Sequence, residues 1–263
     1  MIIAQLILPG SSEYERKSQR IDFASLSAEY DVRVGEPANA DIVHVYAPRE
    51  FDPAAVRDLP LPYVSNARPK ARRFRKSVQP IRIITPLKDT DAAHIPEAVE
   101  DGYFANPAAR EPGSRATVGT FSRLSLHNII EQTAARIQRY RDDVDWLLFD
   151  MAPSPEDLRG VDVWVDPAKA EDDFDGFVAE AIAAGTAVIA SRTAINTQRL
   201  EKGRSGVLVP PHDPNEWTHA ILNTLFKPEF RHSRVIASQQ TASKFRPRHR
   251  ARALIQLYES ILQ

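Results

Sequence analysis

Residues Gly160–Ala190 read GVDVWVDPAKAEDDFDGFVAEAIAAGTAVIA. Val161, Val163, Trp164 and Val165 form a short apolar run of strand type. A polar, acidic loop follows over residues 166–175. The spacing then predicts a helix that opens at Gly176, is rich in Ala, Val and Ile, and ends at Gly185, with a second strand from Thr186 to Ala190. Apolar runs joined by one such helix make a βαβ unit of a parallel sheet. The loop falls at the carboxyl end of the first strand, where open α/β sheets bind their ligands.

The order of residues in that loop bears on function. Asp172, Asp173, Phe174 and Asp175 precede Gly176, and Glu180 follows one turn into the helix, with seven residues between Asp172 and Glu180. A helix N-terminus offers unpaired N–H groups and the positive end of a dipole, which suit a phosphate. Carboxylates accept hydrogen bonds from sugar and ribose hydroxyls. The same aspartates also read as helix caps and dipole partners, and spacing alone leaves both readings open.

Composition sets the bounds. A chain of 263 residues accommodates two modest domains or one large one, and 43% hydrophobic with 26% charged residues is ordinary for a globular protein. A net charge of −1 gives no argument for nucleic acid. The absence of Cys excludes disulfides, thiolate metal sites and a Cys nucleophile, and suits a reducing cytoplasm. No apolar run approaches the roughly 18–20 residues that cross a bilayer, and MIIAQLILPG reads as a first strand and not as a signal peptide. Twenty Pro against ten Gly implies that some loops have lost glycine.

Around the central unit, strands are expected at Ile2–Leu8, Val32–Val34, Ile42–Tyr46, Leu61–Ser65, Ile81–Thr85, Ala116–Phe121 and Trp146–Phe149. Helices are expected over Glu13–Tyr30 (with Ile21, Phe23 and Leu26 inward), Ile129–Tyr140 and Trp217–Phe226, and in the tail. The basic run Arg68–Lys76 reads as a solvated surface connection; its alternative use is an electrostatic contact with anionic lipid at the inner face of a membrane, with a phosphorylated acceptor or with nucleic acid.

Several of these segments together resemble the retaining nucleotide-sugar glycosyltransferases of the GT-B fold (glycosyl transferases group 1, family 4-like). The Asp172/Glu180 spacing, the helix ending at Gly185, and Gly203, Gly206, Leu208, Val209, Pro211 and Asp213 match the family's signature in register. Ile95 to Phe104 resembles the family's segment leading into the hinge, and DIVHVYAP its strand ending at the interdomain cleft. The resemblance implies an α/β protein with two Rossmann-like domains, their parallel sheets facing across a cleft. Residues 1–107 would form a shortened acceptor-side domain, residues 108–245 the nucleotide-sugar domain, and residues 246–263 a helix packing back toward the first.

By the same resemblance the activity is metal-independent sugar transfer, with retention, from a nucleotide-diphosphate sugar to an unknown acceptor. The nucleotide-sugar is a co-substrate, no further cofactor is implied, and no specific nucleic acid is expected. Arg123 would clamp the diphosphate, Asp172 meet the sugar, and His44 be a catalytic candidate, although a lone His in a β-run also reads as a core residue. Glu180 would hold the ribose. Asn128, Asp173, Phe174, Asp175, Gly176, Met151, Ser11 and Ser12 would line the donor site; the serines read equally as helix caps. Asn128 stands where the family has a clamping Lys, Asp172 where it has Glu, and Ser11-Ser12 and Ala194-Ile195 where it has paired glycines. These departures motivate an alternative, a GT-B protein that binds nucleotide or a partner without transfer. A third reading, epimerisation of a nucleotide-sugar, finds no general base beyond His44.

Overall fold

The structure is a computed structural model that describes residues 1–35, 37–48, 50–51, 56, 59, 63–65, 68–69, 82–85, 92–104, 115–122, 127–169 and 176–263. The chain forms two compact units, Met1–Ala98 with Arg246–Gln263, and Val99–Phe245. The expected division after residue 107 falls in a stretch outside the described residues. Val99 already belongs to the second unit, its N–H donating to the Phe245 carbonyl at 2.9 Å.

In the first unit, β1 (Ile2–Ile7), β2 (Asp31–Val34), β3 (Ile42–Tyr46), β5 (Tyr63–Ser65), β7 (Arg82–Thr85) and β8 (Ala93–His94) form a sheet in the order β2-β1-β3-β5-β7-β8. Every pairing in it is parallel. A separate two-stranded ribbon joins β4 (Glu50–Phe51) to β6 (Arg68–Pro69). Successive side chains of a strand point to opposite faces, and the core divides accordingly. Ala4, Val43, Val45 and Tyr63 pack on one side. Ile3, Ile42 and Val64 pack on the other, against Leu26 of α1 (Glu13–Leu26) and Leu254 and Tyr258 of α8 (Pro247–Leu262). Helix α1 stops four residues short of the expected Tyr30, and Phe23 is 39% exposed instead of inward. Asp22 takes the inward position.

In the second unit the order is β10-β9-β11-β12-β13, from β9 (Ala116–Phe121), β10 (Val144–Phe149), β11 (Val163–Asp166), β12 (Ala187–Ser191) and β13 (Val207–Val209). This sheet is also parallel throughout. Val118, Val163, Val165 and Ile189 face α2 (His127–Gln138) and α6 (Pro214–Phe226), with Trp217 and Ile221 filling that layer. On the opposite face, Trp164, Val188 and Ala190 meet α3 (Pro155–Arg159), α4 (Val178–Ala183) and the C-terminal end of α7 (Pro228–Ala242). A Cβ at Gly119 would lie 3.0 Å from Val161 and 3.1 Å from the Trp164 ring, so the indole occupies the space a side chain would need. Helix α5 (Ala194–Arg199) follows β12. Sequence periodicity leaves α7 unassigned, because it is polar nearly all round and buries only Ser238, Thr241 and Ala242.

The central helix begins at Val178, two residues after the expected Gly176, because Phe177 is left-handed (φ 55°, ψ 25°) and interrupts it. Burial of α4 is complete: all six of its residues are enclosed, as its composition leads one to expect.

A buried ion pair holds the chain's last helix to its first. Arg250 donates through Nε to Asp22 Oδ1 at 2.6 Å and through Nη2 to Oδ2 at 2.9 Å, while Nη1 reaches the Pro96 carbonyl at 3.1 Å. The Tyr46 hydroxyl donates to Asp22 Oδ2 at 2.6 Å. Burial by itself pushes the Arg250 pKa down, but the charge and hydrogen bonds of Asp22 outweigh it and the net shift is upward. Removing one partner leaves the other charged and enclosed, a loss of about 3–5 kcal/mol, whereas replacing both by apolar side chains is often nearly neutral. Arg250→Met is therefore expected to lower the unfolding free energy by about that amount, and Asp22→Leu/Arg250→Met to recover most of it. Urea denaturation of the four proteins of this cycle checks both.

Candidate functional site

The order β10-β9-β11-β12-β13 turns back at β9, which puts the topological switch point between β9 and β11. Ligands of open α/β sheets bind outside the carboxyl ends of the strands at such a point. The two strands end at Phe121 and Asp166. Arg123 follows the first end by two residues, and the acidic loop follows the second. Arg123, Asp172, Asp173, Phe174 and Asp175 themselves lie outside the described residues, as do residues 70–76 of the basic run.

What is described is the corner by which the acidic loop returns to the fold. Trp164 donates its indole N–H to the Gly176 carbonyl at 2.8 Å. The Asp166 carboxylate, 1% exposed, lies against Gly176 and accepts from Asn196 Nδ2 at 2.6 Å. Asn196 is in turn placed by Thr193, whose hydroxyl caps α5 by accepting the Asn196 N–H at 3.2 Å. The Phe177 ring meets Phe121 edge-on at 5.0 Å. Glu180 sits in the first turn of α4 and is 1% exposed. It is thus enclosed, and a ribose reaches it only if neighbouring atoms move.

Further along the same edge, the Ser122 hydroxyl donates to Asp150 Oδ1 at 2.5 Å, joining the carboxyl ends of β9 and β10. Met151 follows, 79% exposed. Asn128 is exposed at the start of α2, a twelve-residue helix whose amino end opens toward this edge. Gly176, Met151, Asn128 and Glu180 therefore all belong to the carboxyl side of the second sheet.

The remaining sequence candidates are in the first unit, where their side chains serve the fold. The Ser11 hydroxyl is directed at the carbonyls of Leu8 (2.8 Å) and Tyr46 (3.1 Å), tying the turn between β1 and α1 to the end of β3. Ser12 is the N-cap of α1, and its N–H donates to Glu15 Oε2 at 2.7 Å. The sequence offers cap and donor contact for both serines; the geometry shows the cap for Ser12 and turn closure for Ser11. His44, for which the sequence leaves a catalytic and a core reading open, has the surroundings of a core residue. It is 0% exposed, stacks on Tyr46 at 4.1 Å, and shares a 2.6 Å hydrogen bond between Nδ1 and the Tyr258 hydroxyl. The strand alternation that aims His44 inward also aims Tyr46 inward, because β3 is enclosed on both faces.

Burial, reinforced by the Arg250 charge, holds the His44 pKa well below the ordinary value. The folded chain keeps this imidazole neutral, while the unfolded chain protonates it below about pH 6.5. Its contribution is therefore fully present above that pH and is lost as the pH falls toward the depressed folded pKa. Stability should drop by up to about 1.4 kcal/mol per pH unit below about 6.5, and His44→Gln should flatten that slope. A series of urea titrations between about pH 5 and 8 measures it.

Sequence reasoning missed Asp166, Thr193 and Asn196. The available signal was an acid ending the otherwise apolar run VWVD, followed thirty residues later by Asn196, just beyond the next apolar run. Among the described residues, no group of three or more His, Asp or Glu side chains is placed to hold a metal ion.

Residues 119–226 match the sequence profile of the family described as Glycosyl transferases group 1. A D-inositol 3-phosphate glycosyltransferase of Corynebacterium jeikeium is 34% identical over 116 residues, covering 42% of this chain and 27% of that protein. Another, from Saccharomonospora viridis, is 31% identical over 104 residues, covering 40% of this chain and 24% of that protein. The matched stretch thus spans about a quarter of these relatives. Among solved structures, a glycosyltransferase from Rickettsia africae matches with a TM-score of 0.71 at 14% identity, over 100% of this chain and 99% of that one. Anabaena HepE in complex with UDP matches with a TM-score of 0.68 at 15% identity, over 99% and 100% of the two chains. The chain therefore has the GT-B fold, and its second unit carries the group 1 glycosyltransferase match.

Proposed function

We propose that this chain is a glycosyltransferase that moves a sugar from a nucleotide-diphosphate donor to an acceptor hydroxyl, with retention of anomeric configuration and without a metal. The bond between the anomeric carbon and the terminal phosphate oxygen breaks, and the acceptor oxygen takes the carbon. The acceptor proton leaves with the nucleotide diphosphate. One observation carries the reading: the switch point of the second sheet separates the strand leading into Arg123 from the strand leading into the acidic loop, inside the segment that matches the family.

In this reading Arg123 and the amino end of α2 stabilise the negative charge that builds on the departing diphosphate, which is an electrostatic contribution. Asn128 adds a hydrogen bond there without a charge. Asp172 accepts from sugar hydroxyls and Glu180 from the ribose, while Asp150 and Met151 flank the base. HepE has been solved with UDP, with UDP and glucose, and with UDP-glucose, which supports uridine nucleotides as the first donors to try. The curated relatives make D-inositol 3-phosphate a first acceptor to try.

Saturating UDP-glucose, GDP-mannose or ADP-glucose is expected to raise the melting temperature through mass action. Arg123→Ala should lower transfer about 10²–10³-fold, in line with removal of one charge-stabilising group. Glu180→Gln should weaken donor binding. Asn128→Lys should strengthen binding of the diphosphate. If no nucleotide or nucleotide-sugar shifts the melting temperature and the Arg123 variant is indistinguishable, the proposal is wrong.

A further inference from the structure

We propose that Asp166 is a positioning residue for the donor: held by Asn196, its carboxylate occupies the volume a side chain at Gly176 would need, and so sets where the acidic loop re-enters the fold. The assignment rests on the donor-binding reading above and names a residue that neither spacing nor resemblance singles out.

The geometry at the corner is tight. A Cβ built on Gly176 would lie 2.1 Å from Asp166 Oδ1 and 2.6 Å from its Cγ. Gly176 is not in a left-handed conformation, so glycine is required there by space and not by backbone freedom. The left-handed residue is its neighbour Phe177, a bulky side chain at φ 55°. A non-glycine residue keeps such a conformation only where its surroundings over-determine it, and such places cluster at ligand sites. Here the surroundings are explicit. Trp164 holds the Gly176 carbonyl, Phe121 packs in an edge-on arrangement with the Phe177 ring, and the Asp166 carboxylate fills the space where a Gly176 side chain would begin.

A purely packing role does not call for a carboxylate. An enclosed acid is costly unless hydrogen bonds offset it, and an apolar side chain fills such a space at less cost. Asp166 is instead tied into a polar line that joins β11 to α5. Asn196 Nδ2 donates to it from α5, Asn196 Oδ1 accepts from Arg199 Nη1 at 3.4 Å, and Thr193 fixes the Asn196 backbone. The line ends on the one residue that separates the aspartates of the loop from Phe177 and the helix bearing Glu180. Because Phe121 is the last residue of β9, the same corner also touches the strand that leads into Arg123. Pre-organisation of this kind acts on affinity by reducing what must be ordered on binding.

The test is isothermal titration of the whole chain with UDP-glucose and with UDP, alongside melting temperatures without ligand. The proteins are the unaltered chain, Asp166→Ala, Asp166→Asn, Gly176→Ala and Asp166→Ala/Gly176→Ala. Asp166→Ala should weaken UDP-glucose binding by about tenfold or more, while Asp166→Asn, which keeps both shape and an acceptor for Asn196, should stay within about threefold. Gly176→Ala should weaken binding by about tenfold or more in the parent, yet by less than about threefold in the Asp166→Ala background, where the atom it strikes is gone. Should Asp166→Ala fail to fold, Asp166→Ser with Gly176→Ala reads the same coupling. Unchanged donor affinity in Asp166→Ala, or simple additivity in the double variant, overturns the assignment even if melting temperatures fall. Absence of binding by the unaltered chain to UDP, UDP-glucose, GDP-mannose and ADP-glucose overturns the donor reading, and this assignment with it.

Discussion

The first unit depends on one buried contact between the ends of the chain. Asp22 and Arg250 are 228 positions apart, and both are enclosed. Taking two charges out of water is expensive, so such a pair survives only when every oxygen and N–H it brings inside is satisfied. Here both carboxylate oxygens accept from the guanidinium, Tyr46 adds a third donor, and the remaining guanidinium nitrogen finds Pro96. Burial, together with the negative charge of Asp22, drives the Tyr46 pKa upward, which keeps that hydroxyl protonated and donating. Satisfying all of these groups requires α8 in one register on α1, and that register brings Leu254 and Tyr258 onto Ile3, Ile42 and Val64.

The second unit shows how the parallel sheet turns local sequence into a site. All five strands run the same way, so every loop that follows a strand emerges at one edge. Chain order and spatial order diverge only at β9, and there the carboxyl ends of β9 and β11, distant in the sequence, lie side by side. Enclosing Asp166 beside Gly176 is a local departure from an all-apolar interior. Such departures mark the places where a fold serves something other than its own stability. The low identities to HepE and the Rickettsia enzyme, despite TM-scores near 0.7, fit this view. Alternating β-branched strands and small-residue helices suffice for the scaffold, whereas the edge residues are free to differ.

The architecture was legible because its signals are local. Strand Ile42–Tyr46 and strand Ala116–Phe121 have the bounds that their β-branched runs imply, and the Ala-rich segment before Gly185 is as buried as its composition demands. What was not legible shares a cause. Hydrophobicity, the usual guide to a helix face, points Phe23 inward, but it is 39% exposed, and Asp22 is enclosed with an ion-pair partner far along the chain. For His44 the sequence leaves a catalytic and a core reading open, and the core one needs a partner from far along the chain, the Tyr258 hydroxyl of the last helix. Helix α7 has no apolar stripe to announce it; it is helical because its few small residues fit against α4.

By itself, then, the sequence determined the alternation of strands and helices, the central βαβ unit of the second sheet, and the acidic run that follows its first strand. These follow from periodicity and composition, which act over a few residues. Tertiary structure alone decided which polar groups are inside: Asp22 with Arg250, His44 with Tyr258, and Asp166 against Gly176. A buried polar side chain is tolerated only with its partner in place, and those partners come from elements that meet only once the chain has folded.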